Sequence, residues 1–222
     1  MIGKGKSISH GVAALEYDLA KEIDGQAAAT EIARHELYGC TGAEMVQEMK
    51  PYFTDFPNVK NNCLRFEVSP SIEESSSFTD TDWAELGNDF MQRMGLMNHQ
   101  YIIIKHSGTE SKKKQAHLHI LANRISLSGE LYRDNWIGKR ATEAANAIAK
   151  ERDFVQSQDI GKANKAEIKE AMNEVLKKLQ GFDLAKFQEE LGKLGFKVRE
   201  ARASTGKLNG YYVTARSGTE YK

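Results

Sequence analysis

Three of the six histidines lie in one stretch, HSGTESKKKQAHLHILANR, running from His106 to Arg124. Neutral imidazole binds metals and also carries protons near neutral pH, so a group of three is a candidate for either chemistry. Only Leu118 separates His117 from His119. Side chains on a strand alternate with a period of two, which puts this pair on one face. His106 closes the preceding run, YIIIKH, and the connection between the two runs is short and polar. A hairpin would carry His106 alongside the pair. Three neutral imidazoles leave coordination positions open, the pattern of a catalytic rather than a structural site, and the donor set suits Zn, Fe, Ni or Mn. The bland alternative is three satisfied or solvent-facing histidines, and H-x-H alone does not decide between them. Each ring N–H turned away from a metal needs an acceptor, and Glu67, on a strand of the same sheet, is expected to supply one.

These residues need a scaffold, and the chain is long enough to build one. It has 222 residues, 40% hydrophobic and 28% charged, ordinary values for a globular protein with a sizeable core. No apolar run approaches the roughly 20 residues that span a bilayer, and MIGKGKSISHG lacks a signal-peptide core. Cys40 and Cys63 fit no metal-ligand spacing and no disulfide framework, so a reduced, cytoplasmic setting is expected. Net charge is zero, which argues weakly against a protein that coats nucleic acid. Its distribution is uneven. Glu67 to Asp89 carries seven acidic residues and no Lys or Arg. Lys105, Lys112, Lys113 and Lys114 face only Glu110, and Lys197 to Lys222 is also basic. A basic patch beside the histidines would attract a polyanion.

The pattern along the chain gives the elements. Residues 1 to 9 suggest an edge strand or an arm, and Ser9 to Lys21 a helix capped by Ser9, with Tyr17 inside it. A strand is expected around Glu31 to Tyr38. Thr41 with Glu44 reads as a capping box opening a helix to Tyr52. CLRFEVS alternates as a strand over Cys63 to Ser69. Trp83, Leu86, Phe90 and Met94 lie at helical spacing up to Gly95. Ile102, Ile103 and Ile104 are consecutive, so their strand is covered on both faces. A helix from Gly138 to Arg152 follows, then an amphipathic stripe from Ile168 to Leu179, then a helix capped by Asp183. Phe196 to Arg202 and Tyr211 to Ala215 read as a hairpin entered through Asn209-Gly210. The sum is an α/β fold with a central, mainly antiparallel sheet flanked by helices.

A histidine closing an apolar strand, a polar loop, then His117-Leu118-His119-Ile120-Leu121-Ala122-Asn123-Arg124 resembles the relaxase/mobilisation nuclease family, the HUH-type tyrosine endonucleases. MIGKGKSISHGVAALEY resembles the family's N-terminal motif, and CLRFEVSPS followed by TDTDWAELGNDFMQRMGLMNHQY its strand–helix–strand run. The details are closest to relaxases of Bacteroides-group mobilisable elements. The resemblance covers residues 1 to 152 best. It implies a palm- or RRM-like core and one nicking domain over residues 1 to 222, the N-terminal part of a longer protein. Residues 1 to 152 would be the catalytic core, and 153 to 222 helices with a basic hairpin. It also implies Tyr17 as nucleophile, His106, His117 and His119 as ligands of Mg2+ or Mn2+, and Asn123 beside Glu67 in support of them. Many relatives carry an aspartate two residues after the first histidine, where this chain has Gly108; Glu110 is the nearest carboxylate that follows.

The activity so implied is site- and strand-specific nicking at an origin of transfer. It leaves a 5′-phosphotyrosyl link that can later be resealed, in the cytoplasm of a bacterium, with accessory mobilisation and coupling proteins as further partners. Lys105, Lys112, Lys113, Lys114 and Arg124 are expected to contact phosphates, and Arg199, Arg202 and Tyr211 to contact single-stranded DNA from the C-terminal hairpin. Tyr38, Tyr52 and Tyr101 are fallback nucleophiles. The rival readings are a three-histidine phosphoesterase that uses water and a non-catalytic DNA-binding module.

Overall fold

The computed structural model describes residues 1–23, 26–107, 115–179, 181, 183–216 and 218–222. They form two compact units, Met1–Ser157 and Gln158–Lys222. The division falls a few residues beyond the 152/153 boundary expected from sequence.

The first unit runs β1 (Ile2–Ile8), α1 (Gly11–Leu19), the short pair β2 (Glu22–Ile23) and β3 (Gln26–Ala27), β4 (Ala29–His35) and α2 (Gly42–Met49). A 3-10 turn (Lys50–Phe53) leads to β5 (Cys63–Ser69), α3 (Ile72–Ser75), α4 (Asp80–Met94), β6 (His99–His106), β7 (His117–Ser126) and α5 (Ile137–Glu151). Five strands make one sheet in the order β1-β5-β7-β6-β4, and every neighbouring pair is antiparallel. β7 is its middle strand, and β6 lies between β7 and the edge strand β4.

Alternation along the strands divides the core in two. Leu64, Phe66, Val68, Tyr101, Ile103, Leu118, Ile120 and Ala122 pack with residues of α4 and α5 on one face. Ile8, Cys63, Ile102, Ile104 and Leu121 pack with residues of α1 and α2 on the other. Each fully buried aliphatic or aromatic side chain contributes on the order of 1.5–3 kcal/mol. His106, His117 and His119 have the parity of Ile104 and Leu121, so the sheet presents all three on the α1 side.

Local chemistry explains the helix ends. Thr41 and Glu44 close a reciprocal capping box at α2, and Thr79 and Asp82 do the same at α4, which stops at Gly95 with φ 72°. α1 is shorter than expected. His10, not Ser9, is its N-cap, without a side-chain hydrogen bond, and the helix ends at Leu19.

The second unit holds α6 (Ser157–Lys178, which starts at the boundary residue), α7 (Leu184–Lys193), β8 (Lys197–Arg202), β9 (Leu208–Thr214) and β10 (Glu220–Tyr221). Its sheet has the order β10-β9-β8, and Ile168, Ala171, Val175, Phe187, Leu191, Phe196 and Val213 fill its core. Asn209-Gly210 is not the hairpin turn. Both residues lie inside β9, and the chain reverses earlier, at Ser204–Gly206, where Gly206 has φ 82°. Gly206 supplies the positive φ that the turn needs, so the Asn-Gly pair is not required there.

Candidate active site

The β6–β7 hairpin brings His106 opposite His117 in register, and His119 opposite Ile104. The three rings cluster, with centroid separations of 5.4, 4.3 and 4.8 Å. One nitrogen from each lies within 4.8 Å of the other two.

Hydrogen bonds decide which nitrogen His106 and His117 offer. His106 Nε2–H donates to the backbone carbonyl of Asp18 at 2.7 Å, which leaves Nδ1 free. His117 Nδ1–H donates to the Gln115 carbonyl at 3.0 Å, which leaves Nε2. His119 Nδ1 lies 3.2 Å from Arg65 Nη2, a group that can only donate, so the ring is neutral with its proton on Nε2. The Nε2 atoms of His117 and His119 stand 3.0 Å apart. That spacing is an N–H···N bond between the rings, and it holds two imidazole nitrogens close enough that they could share one divalent cation.

Burial keeps two of the rings, His106 and His119, uncharged. It holds the His106 imidazole below its ordinary 6.5, helped by His117 and Lys21 and opposed by the contact with Asp18. It pushes His119 down to about 2, reinforced by His106, His117, Arg65 and Lys21. The 3.7 Å approach of His119 Nδ1 to Asp18 Oδ1 is therefore not an ion pair in the metal-free protein.

The carboxylate beside the histidines is Asp18 of α1, which is 1% exposed. Arg65 of β5 donates to it twice, Nε–H at 3.1 Å and Nη2–H at 2.5 Å. Burial raises the Asp18 carboxyl above its ordinary value, and Arg65 opposes the shift. Asp18 and Arg65 form a charge-balanced brace that touches two of the three rings. The sequence reading missed both. Arg65 shares the parity of Glu67 on β5, a usable signal; Asp18 depends on how α1 docks, which no local pattern encodes.

The expected supporting residues are engaged by other partners. Glu67 lies opposite His119 and shares its face, yet its carboxylate accepts from Lys4 Nζ at 2.9 Å. Asn123 is four residues beyond His119, about 13 Å along the strand. It is fully buried, with Nδ2–H donating to Gln100 Oε1 at 3.0 Å and Oδ1 accepting from the Ile125 amide. Asn123 fastens the sheet interior and does not reach the cluster.

Tyr17 is 60% exposed at the position before Asp18, and Lys21 Nζ donates to its hydroxyl at 3.3 Å. Tyr101 is buried on the opposite face, with its hydroxyl near Asn88 at 3.3 Å. Tyr38 follows the end of β4 remote from Ala29, the residue paired with His106. Tyr52 sits in the 3-10 turn.

The basic residues divide by strand parity. Lys105 pairs with Asp80 of α4, and Arg124 donates to the carbonyls of Asn61 and Tyr132 and to Asp134, so both leave the sheet on the face away from the histidines. Lys112, Lys113 and Lys114, with Gly108 and Glu110, lie outside the described residues. In the second unit Arg199 pairs with Glu220 and stacks over Tyr212, Arg202 pairs with Glu200, and Tyr211 is half-buried. Cys63 is buried, and its thiol is pushed up to about 12, so it is no nucleophile.

Residues 17–154, more than half of the chain, match the family described as relaxase, MobA/VirD2-like, nuclease domain. No curated protein matches the sequence. Among solved structures, a metal-bound conjugative relaxase TrwC in complex with oriT DNA is similar at 12% identity and a TM-score of 0.39, over 93% of this chain and 74% of that one. A likeness of that distance bears no weight on the details of this site.

Proposed function

We propose, from the premise that this chain belongs to the MobA/VirD2-like relaxase nuclease-domain family, that it nicks one DNA strand at an origin of transfer by transesterification onto Tyr17. The observation that carries the reading is the convergence of His106, His117 and His119 beside Asp18, whose chain neighbour is Tyr17. The family match begins at that same tyrosine.

The donor set fits a divalent cation, with Nδ1 of His106 and Nε2 of His117 and His119 as the ligand atoms. Of Mg2+ and Mn2+, three imidazoles suit Mn2+ better. When bound, such an ion polarises the scissile phosphate and offsets the charge that develops on it. The remaining work belongs to the chain. Neutral histidines leave the ion's charge undiminished. With Nε2 given to a cation, His119 would carry its proton on Nδ1, which lies 3.7 Å from Asp18 Oδ1, and Arg65 would have to turn its N–H from that nitrogen. Tyr17 Oη attacks phosphorus, the bond from phosphorus to the 3′ oxygen breaks, and that oxygen takes up a proton as the phenol's proton passes to solvent. Lys21, whose ammonium already touches Oη, stabilises the phenolate as it forms and again when it leaves on resealing. The phosphotyrosyl bond retains the energy of the phosphodiester, so closure needs no ATP. This is the behaviour required of a cytoplasmic enzyme in conjugative mobilisation, working with accessory and coupling proteins.

A supercoiled plasmid carrying the cognate origin tests the reading. With Mn2+ the protein should relax it and leave an adduct that survives SDS. Tyr17→Phe should bind the origin and form no adduct, and His119→Ala should lose nicking. An adduct from Tyr17→Phe removes the assigned nucleophile, and nicking without any adduct favours water-using hydrolysis.

A further inference from the structure

We infer that the open edge of the main sheet is a track for single-stranded DNA adjoining the scissile phosphate, in which Lys4 and Lys6 hold backbone phosphates and Trp136 stacks a base. The inference rests on the nicking function proposed above and identifies where the strand runs.

Among the described residues β1 pairs with β5 alone, at the end of the sheet. Gly3 and Gly5 face α5, since a Cβ at either would meet Ala141. Lys4 and Lys6 alternate with them and so point to the histidine side. Register then builds two rows across the sheet. Lys4 lies opposite Glu67, which lies opposite His119; Lys6 lies opposite Arg65. Neighbouring strands are about 4.8 Å apart, so β1 runs about 10 Å from the strand of His119, within reach of phosphates next to the one being cut. The surface between them is concave. A cavity of about 230 Å³ is lined by Lys4, Gly5, Lys6, Arg65, Phe66, Glu67 and His119.

The charges on this path are available. Arg65 is balanced by Asp18, but Lys6 is exposed and has no ion pair among the described residues. Lys4 is paired with Glu67 while its side chain is 65% exposed, so exchanging a carboxylate for a phosphate costs it little.

An aromatic group stands at the same edge. Trp136 is 81% exposed, the most exposed large apolar side chain among the described residues. Its backbone has φ 56°, an unfavourable conformation for a bulky residue, immediately before α5. The segment that carries it packs on the α5 face of β1, where Ser7 Oγ–H donates to Asp134 Oδ2 at 2.6 Å and the start of α5 at Gly138 approaches the Gly5 carbonyl, so a strand that passes from Lys6 to Trp136 rounds the open edge of the sheet. Basic side chains that follow a backbone, with an aromatic face for a base, are the parts from which single-strand binding surfaces are made. The competing role for Lys4 and Lys6 is to guard an edge strand against pairing with other chains.

The intact chain and oligothymidylate separate these roles. Trp83 is buried, so a change in tryptophan emission on binding reports Trp136. Wild-type emission should be quenched on titration. Lys4→Ala with Lys6→Ala should lower the slope of log K against log salt by about 1.4, roughly 0.7 for each phosphate left without its lysine. Trp136→Ala should abolish the quench and weaken binding on the order of ten- to hundredfold. Glu67→Gln should tighten binding by releasing Lys4, an effect that edge protection does not produce. An unchanged salt slope in the lysine double variant, or an unquenched wild type, overturns the track, as does a double variant whose sole defect is self-association in light scattering. The two readings fail separately. Quenching without an origin adduct keeps the track and removes the nicking; an adduct without quenching does the reverse.

Discussion

Asp18 meets the histidine cluster through two of its groups. Its main-chain oxygen accepts from His106, and its carboxylate lies 3.7 Å from Nδ1 of His119, the nitrogen that would carry the proton with a cation on Nε2. Acceptors of this kind typically change metal affinity by 10- to 100-fold. Asp18→Asn should therefore weaken Mn2+ binding by roughly that factor, read by calorimetric titration, with the circular dichroism of the fold retained. Unaltered affinity would reduce Asp18 to a partner of Arg65. At this scale the sequence was informative about ligands and poor about their support. The convergence of the three candidate ligands follows from parity on two adjacent strands. Parity applied further would have sent Lys105, next to His106, and Arg124, five residues after His119, to the other face, where Asp80 and Asp134 hold them. Asp18 stayed hidden because nothing within α1 specifies which sheet residue it meets.

Among the elements, caps and strands were legible because their signals are local. Thr41 with Glu44, Gly95, and the alternation of Cys63 to Ser69 each describe contacts made within a few residues, and each matches the structure. The turn into β9 was misplaced because a generic Asn-Gly preference competed with Gly206 in the same short segment. Packing between β1 and α5 is a different kind of constraint. A Cβ at Gly3 would stand 2.4 Å from the Ala141 carbonyl oxygen and 2.6 Å from the Ala145 methyl. Backbone cannot move aside as a long side chain can, so Gly3→Ala must separate the helix from the edge strand. A loss of about 1–3 kcal/mol is expected, the usual cost of overpacking. Urea unfolding of the variant measures it, and a midpoint equal to that of the wild type would mean that α5 sits farther from β1.

For the whole molecule, protons disfavour the folded state that a bound cation would favour. Burial, above all, holds His99, His106 and His119 below the ordinary 6.5. Each is a base whose folded value is depressed, so the unfolded chain takes up protons that the folded chain refuses as pH falls through 6.5. Stability is complete above that pH and declines below it, and His119 continues the trend to about 2. Asp18, raised by burial, acts in the opposite direction, within the carboxylate range. In chelator-treated protein the urea midpoint should fall steadily from pH 7 to pH 5, and Mn2+ at pH 7 should raise it. A midpoint that is level from pH 7 to 5 would show these histidines to be hydrated.

α1 has one weakly fastened end and one hooked end. His10 gives its first turn no side-chain cap, whereas Asp18, near its last residue, is tied to β5 by Arg65 and to β6 by His106. The hook grips the backbone itself, at the residue beside Tyr17. Any shift of His106 on taking up or giving up an ion would thus be handed to the main chain that carries the proposed nucleophile. Under the proposed function, loading the site and aiming the tyrosine would be a single mechanical act.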